Sequence, residues 1–407
     1  GYGSPVNTTN WGQDSTFAGV KTAGDNADAN SIGNFFYAPP SGHLALCTKN
    51  LPDVAVVPSE YFNTVLYTGD GNSTHAITGV GFRPDWLWIK NRSDGASHTL
   101  QDVLRGPTAV MYSQSTEGEN ATRAYVASFN ADGFTTGNAA GAHKGPSNHD
   151  GDTYVGWNWK ADGSGASNTN GTINTTKTIA SVDAGFSIVT YTGTNDNGAT
   201  IGHGLSKAPE MLIVKTRSAS GENWRVYHAS MASDAETDVI NLNLTDAVQD
   251  ADSIWNDTAP TSSVFSIGED GGVNADGATY VAYCFHSVNG YSKVGSYQGT
   301  NDANENKGAF VFTGFRPKWI MVKSFSTGGN HYDWAIYDRT RSPHNVVGNV
   351  LEANSVQVEV TGSGRGLPID ILSNGFKHGG SHAENNSNKT YLYLAFAETP
   401  FKYANAR

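Results

Sequence analysis

Apolar residues in this chain come in short runs separated by Gly, Asn, Asp, Ser and Thr, and the runs recur. GFRPDWLWIK (Gly81 to Lys90) returns as GFRPKWIMVK (Gly314 to Lys323), with KAPEMLIVK (Lys207 to Lys215) between them. In each copy a proline precedes a lysine by six positions: Pro84 and Lys90, Pro209 and Lys215, Pro317 and Lys323. Trp86-Leu87-Trp88-Ile89, Met211-Leu212-Ile213-Val214 and Trp319-Ile320-Met321-Val322 have no polar face. A strand of that kind is buried on both sides, which predicts a central place in its sheet. A proline just ahead of it is tolerated, because the first position need not donate to the ladder.

The flanks repeat in the same order. Upstream lie Tyr67-Thr68-Gly69, Tyr191-Thr192-Gly193 and Tyr297-Gln298-Gly299. Each copy closes on an aromatic strand: YVGWNW (Tyr154 to Trp159), YVAYCF (Tyr280 to Phe285) and YLYLAF (Tyr391 to Phe396). In these closing strands one alternating face is apolar and the other mixed, which predicts one buried side. Asp132-Gly133 and Asn374-Gly375, followed by Phe134 and Phe376, predict hairpins; the middle copy of this signal is blurred around Gly271 to Gly277. Residues 230 to 252 read as a short helix or a decorated loop. Ala161 to Ala184 has linker composition, but TINTTKTIASV within it has the β propensity of a strand.

The prolines are 125 and 108 residues apart, a domain-sized repeat rather than a solenoid unit. The reading is all-β: three tandem related β-sandwiches, at 61–165, 166–294 and 295–407, after the remnant of a further β domain and a connector at 1–60. In that first stretch, SIGNFFYAPPSGHLALCTKNLPD (Ser31 to Asp53) reads as two apolar runs around a Pro-Pro-Ser-Gly turn. With Gly1 first and no signal peptide, the expectation is part of a longer protein.

Composition narrows the classes. Charged residues make up only 16% of the 407, aromatics 11%, and there are 47 glycines. That excludes a disordered chain and a helical bundle. A net charge of −12 argues against nucleic acid or an anionic membrane as partner. No apolar run is long enough for a membrane insertion. Two cysteines, Cys47 and Cys284, exclude a disulfide framework and read as small buried hydrophobes.

Motifs for chemistry are scarce. There is no H-E-x-x-H, no zinc spacing and no phosphate loop. GSGRG (Gly362 to Gly366) lacks the nucleophile-elbow pattern and reads as a glycine-rich loop. No catalytic residue, cofactor or metal site is assigned. The loop candidates for ligand contact are His143, His149, Asp150 and Asp152 in GAHKGPSNHDGD, with His331 and Tyr332. GTNDNG (Gly193 to Gly198) and GTNDANENKG (Gly299 to Gly308) offer oxygen ligands without the spacing of a calcium loop. The tryptophans fall at matched strand positions, which favours core over a sugar-stacking surface.

FFYAPPSGHLALCTKNLPD, GFRPDWLWIKNRS, GDTYVGWNWKADG and AGFSIVTYTGTNDNGATIGHGLSKAPEMLIVK resemble structural proteins of marine tailed bacteriophages, of the tail-fibre, tailspike or receptor-binding type. In that family a SPRY-like lectin sandwich often precedes the repeats. Gly1 to Asp53 resembles its end, with GQDSTF (Gly12 to Phe17) as last strands, and AFAETPFKYANAR resembles a family C-terminus. The chain departs from the pattern at residues 230–252 of copy two. The resemblance implies a non-enzymatic virion protein, a homotrimer joined to other virion proteins, touching a host-surface glycan or protein receptor. A rod of stacked β domains suits that role. The competing readings are a capsid decoration or head fibre without a receptor, a polysaccharide depolymerase whose carboxylate pair meets only in space, and a secreted bacterial adhesin.

Overall fold

The computed structural model describes residues 14–50, 56–137, 145–163, 165–300, 308–329, 332–361, 369–379 and 389–400. The chain divides into two compact units at Val54 and Ala55.

In the first unit Asp28 does the organising. Its carboxylate accepts from the N–H groups of Asn30 (2.9 Å), Ile32 (3.0 Å) and Ala45 (2.8 Å) and from Asn50 Nδ2 (2.7 Å). Desolvation opposes its charge, but these bonds outweigh that and bring its pKa down to about 2. The Pro-Pro-Ser-Gly turn forms as expected, with the His43 N–H on the Pro40 carbonyl (3.0 Å). Asp14 to Phe17 do not form a strand. They form a turn, because the Asp14 carboxylate captures the N–H groups of Thr16 and Ala18.

In the second unit each sequence copy folds as a lobe with one large and one small antiparallel sheet. In lobe 1 the large sheet runs Phe62–Thr68, Thr153–Trp159, Trp86–Asn91, Thr99–Asp102, Gly106–Met111, and the small one His75–Thr78, Gly133–Thr136, Val126–Asn130. Lobe 3 repeats this with Ser292–Gln298, Thr390–Pro400, Phe315–Ser324, Ala335–Asp338, Leu351–Glu352, and with Phe310–Phe312, Gly375–His378, Ile369–Leu372. Lobe 2 has seven strands in its large sheet, Gln249–Asp250, Asp238–Asn241, Arg225–His228, Met211–Thr216, Thr279–Phe285, Phe186–Thr192, Lys177–Ser181, and a small pair, Ala199–Gly202 with Val264–Ile267. The chain is all-β in sandwich-like layers. The strands that carry Trp86, Met211 and Trp319 are central in their large sheets, as their two-sided apolar pattern requires; in lobe 3 the strand begins before Pro317, which sits at a register shift instead of ahead of the strand. Lys177–Ser181 supplies the strand expected in the linker.

The two apolar faces have different destinations. Leu87 and Ile89 point to the small sheet of lobe 1, against Ile77, Val126 and Phe134. Trp86 and Trp88 point the other way, into a cluster that runs through all three lobes. In lobe 3, Ile320 and Val322 face the small sheet while Trp319 and Met321 join the shared cluster. The copies therefore close on one another instead of stacking as a rod. At the centre lie the matched residues Trp159, Phe285 and Phe396, with Phe396 5.7 Å from Trp159 and 6.1 Å from Phe285 between ring centroids. Eight of the nine tryptophans are fully or nearly fully buried, so the core reading of the aromatics holds; Trp11 lies outside the described residues. Each indole removes roughly 150–250 Å² from water, on the order of 4–6 kcal/mol of gross transfer free energy.

Matched residues build the three joints. The repeated lysines are fully buried, and each reaches a backbone carbonyl of another lobe: Lys90 to Val356 (3.2 Å), Lys215 to Thr116 (3.3 Å), Lys323 to Thr245 (3.1 Å). Three residues further on, Glu359, Glu119 and Val248 donate their N–H groups to the carbonyls of Arg92 (2.9 Å), Arg217 (2.8 Å) and Phe325 (2.9 Å). Two joints are ionic. Arg105 lies between Asp102 (2.5 Å) and Glu119 (3.3 Å), Arg217 pairs with Glu119 (2.8 Å), and Tyr283 of lobe 2 donates to Asp102 (2.8 Å). Arg341 likewise joins Asp338 and Glu359 (2.8 Å), Arg92 pairs with Glu359 (2.7 Å), and Trp157 of lobe 1 donates to Asp338 (3.1 Å). The third joint has His228, Met231, Val248, Phe325 and Leu394 at the same places. There the His228 ring meets the Tyr393 carbonyl (3.3 Å), and burial lowers its pKa to about 4.

Four expectations are corrected. The closing strands are buried on both sides: Gly156 leaves room for the Phe134 ring, and Asn158 is buried with its amide on the Asn63 and Gly156 carbonyls. The middle hairpin signal is not at Gly271 to Gly277. Phe265 of Val264–Ile267 occupies the place of Phe134 and Phe376, and Gly271–Asn274 is a helical turn capped by Asp270. Residues 230–252 hold a short helical turn, Ala235–Thr237, one of the two forms expected, but they are not a decoration, since Asp238–Asn241 is a regular strand of the repeat. Cys284 is buried, but Cys47 is exposed. The two expected hairpins form, with Gly133 and Gly375 as first residues of the returning strands. A Cβ there would meet the Ile77 oxygen at 2.1 Å and the Val311 oxygen at 2.0 Å, so close backbone approach requires glycine.

Two tests follow from the joints. Burial lowers the pKa of Lys90, Lys215 and Lys323 to about 8, from 10.5. Between those values the unfolded chain holds more protons than the folded one, so stability rises with pH across pH 8 to 10. Thermal melts from pH 7.5 to 9.5 should show a rising midpoint, and Lys90→Met should flatten the slope by about a third. Arg105→Met alone strands buried carboxylates and should cost about 3–5 kcal/mol in chemical denaturation. Adding Asp102→His, Glu119→Val, Arg217→Phe and Tyr283→Leu, the set of the third joint, should recover most of that loss.

Candidate functional site

The site begins where the central strand of lobe 1 ends. Asn91 Oδ1 accepts the N–H groups of Ser93 (3.0 Å) and Asp94 (2.9 Å), which turns the chain and presents Asp94 to Ser97. Opposite, the edge strand Gly106–Met111 runs on into Tyr112. Reciprocal bonds between Val110 and Asn120 close the excursion at its base. Within it, Ser115 N–H bonds to the Tyr112 carbonyl (3.2 Å) and Glu117 N–H to Ser115 Oγ (3.0 Å). Asn120 Oδ1 then captures Thr122 (3.0 Å) and sends the chain back through Arg123 to Tyr125.

These segments enclose an open groove of about 570 Å³. Its wall includes the rings of Tyr112 and Tyr125, 6.5 Å apart and inclined at 65°, which with Val110 form an apolar cluster separate from the shared one. Asp94 and Gln114 are half-buried; Glu117 and Arg123 are exposed. Burial, then the hydrogen bond with Tyr125, raises the Tyr112 pKa well above its ordinary value; Arg123 works against this and Glu117 with it. The groove is held from behind by the lobe joint, because Trp224 Nε1 of lobe 2 donates to the Tyr112 carbonyl (3.0 Å).

None of the described ligand-contact candidates of the sequence lines this groove. Pro146, from GAHKGPSNHDGD, lines it. His149 and Asp152 are brought together, with Nδ1 3.3 Å from Oδ2, and Asp152 also accepts from Asn91 Nδ2 (2.8 Å). Asp150 is exposed. Tyr332 belongs to lobe 3, where its carbonyl receives the Lys323 ammonium (2.7 Å). His143 and His331 lie outside the described residues, as do GSGRG and residues 301–307 of GTNDANENKG. In GTNDNG the backbone is tied to Asn274, which donates to the Asp196 carbonyl (2.9 Å) and accepts from Thr194 N–H (2.9 Å). Among the described residues no three His, Cys, Asp or Glu side chains are grouped to hold a metal ion.

Residues 57–400 match a domain of unknown function, DUF7483. The chain belongs to this family. Neither a curated protein nor a solved structure matches it. The DUF7483 match spans all three lobes, which accords with lobes that share one core. The groove lies wholly inside it. Asp94, Tyr112, Gln114, Glu117, Arg123 and Tyr125 were not singled out in the sequence, although aligning the copies through their strands sets Tyr112 against Asn241 and Glu352.

Proposed function

We propose that this DUF7483 chain is a non-enzymatic structural protein of a tailed-phage virion, part of a tail fibre or spike, that meets the host surface through the groove of lobe 1. The observation that carries the reading is the division of polar groups. The repeated lysines, Arg105, Arg341 and their carboxylates are buried in the joints between lobes, where they hold one lobe to the next. The groove is lined by Asp94, Gln114, Glu117 and Arg123 and opens to solvent. A scaffold that locks its joints with buried charges and offers a preformed polar recess at its surface suits binding. The resemblance of the repeat motifs to phage appendage proteins supports a virion surface as the setting of that binding. In this reading the chain assembles with copies of itself, as a fibre trimer, and with other virion proteins.

The test is adsorption. Purified protein should bind host cells and slow phage adsorption in competition. Protein that does neither, with a capsid-lattice position in cryo-EM of the particle, would move the assignment to head decoration. Clearing of host surface polysaccharide by the protein alone would move it to a depolymerase.

A further inference from the structure

We propose that the groove of lobe 1 binds a neutral oligosaccharide. This deepens the attachment reading and takes its biological meaning from it. The argument rests on the symmetry of the three lobes, which separates what the scaffold needs from what it does not.

In lobe 2, Asn243 Oδ1 accepts the Trp224 N–H (3.0 Å), and its Nδ2 donates to Asn223 Oδ1 (2.8 Å). In lobe 3, Asn354 Oδ1 accepts the Trp334 N–H (2.8 Å), and its Nδ2 donates to Asp333 Oδ1 (2.7 Å). Both asparagines are closed tethers with oxygen and nitrogen in use. Lobe 1 places Gln114 at this position, and its Oε1 accepts the His98 N–H (3.1 Å). That bond fixes the orientation of the amide. The residue in the place of Asn223 and Asp333 is Ser97, which also lines the groove. Among the described residues no protein acceptor takes the Gln114 NH₂. The tether has been opened by one longer and one shorter side chain, and an oriented donor is left at the recess.

The other groups fit a hydroxyl-rich ligand. Asp94 and Glu117 accept from hydroxyls; Arg123 and the Gln114 amide donate to hydroxyl and ring oxygens. Tyr112 and Tyr125 line the recess but are largely buried, so they add only a narrow apolar contact for sugar C–H groups. Among the described residues of the recess Arg123 is the one cation, and it lies beside Glu117, a setting that disfavours phosphate, sulfate and nucleic acid. The open polar lining disfavours an apolar ligand, and the volume is that of a ligand site.

The experiment is a microarray of neutral and acidic oligosaccharides probed with the full chain. Titration calorimetry with the best-retained neutral oligosaccharide follows. The expected result is retention of neutral oligosaccharides. Ser97→Asn with Gln114→Asn, which rebuilds the closed tether of the other lobes, should weaken binding about tenfold or more, as should Glu117→Gln. Thermal melts should leave both variants at the parent midpoint, since the substituted groups are not in the shared core. A blank array, retention of acidic oligosaccharides alone, or unchanged binding in both variants overturns the proposal. Adsorption competition separates the two readings. A blank array with competition retained removes the saccharide and keeps attachment; saccharide binding without competition keeps the site and removes attachment.

Discussion

Everything in the main unit depends on large sheets that are apolar on both faces. A small sheet covers one face of each. The other face carries Trp86 and Trp88 in lobe 1 and Trp319 and Met321 in lobe 3, and it packs into the cluster shared by all three lobes. Exposing such a face would cost more than a single sandwich of this size gains on folding. The lobes therefore cover one another, and three of them close around Trp159, Phe285 and Phe396. Closure also buries polar groups, and each must find a partner. The lysine ammoniums meet this demand with carbonyls of a neighbouring lobe, a less favourable arrangement than a carboxylate, as their lowered pKa values record.

The joints show that geometry is held while chemistry varies. Asp102, Arg105, Glu119 and Arg217 at one joint correspond to His228, Met231, Val248 and Phe325 at another, yet the backbone bonds between lobes are kept within 0.1 Å. A buried ion-pair network adds little stability over apolar residues of similar volume. What the two networks add is direction: a carboxylate from one lobe fits only opposite the guanidinium of its proper neighbour. One apolar joint among two ionic ones sets which lobe follows which.

The groove stands apart from this scheme. Its residues sit on turns fixed by Asn91 and Asn120, and among the described residues its tyrosine cluster has no counterpart in the other lobes. Little of it was legible along the chain. The histidine-rich loop drew attention because metal and acid–base chemistry leave recognisable residue types in short spacing. A recess for a neutral ligand leaves no such spacing. Asp94, Gln114 and Arg123 come from three turns, and only the shared frame of the lobes shows that Gln114 replaces an asparagine.

Local order was written in the sequence. The two-sided apolar runs fixed the central strands, because a strand without a polar face has to be covered twice. The glycines before Phe134 and Phe376 marked hairpins, because only glycine allows that approach of backbones. Where local signals misled, the cause was tertiary. Asn158 and Cys284 looked like an outward face, but neighbouring carbonyls and a second layer make that face interior. Gly271 to Gly277 imitated a hairpin, while the working strand at Phe265 lacks the glycine that would mark it. The six-residue spacing of proline and lysine was plain in the chain, yet the carbonyl that each lysine reaches belongs to another copy far away in sequence. Periodicity reports whether a face is covered. What covers it is decided only when the lobes meet, because the partner is a surface and not a neighbouring residue.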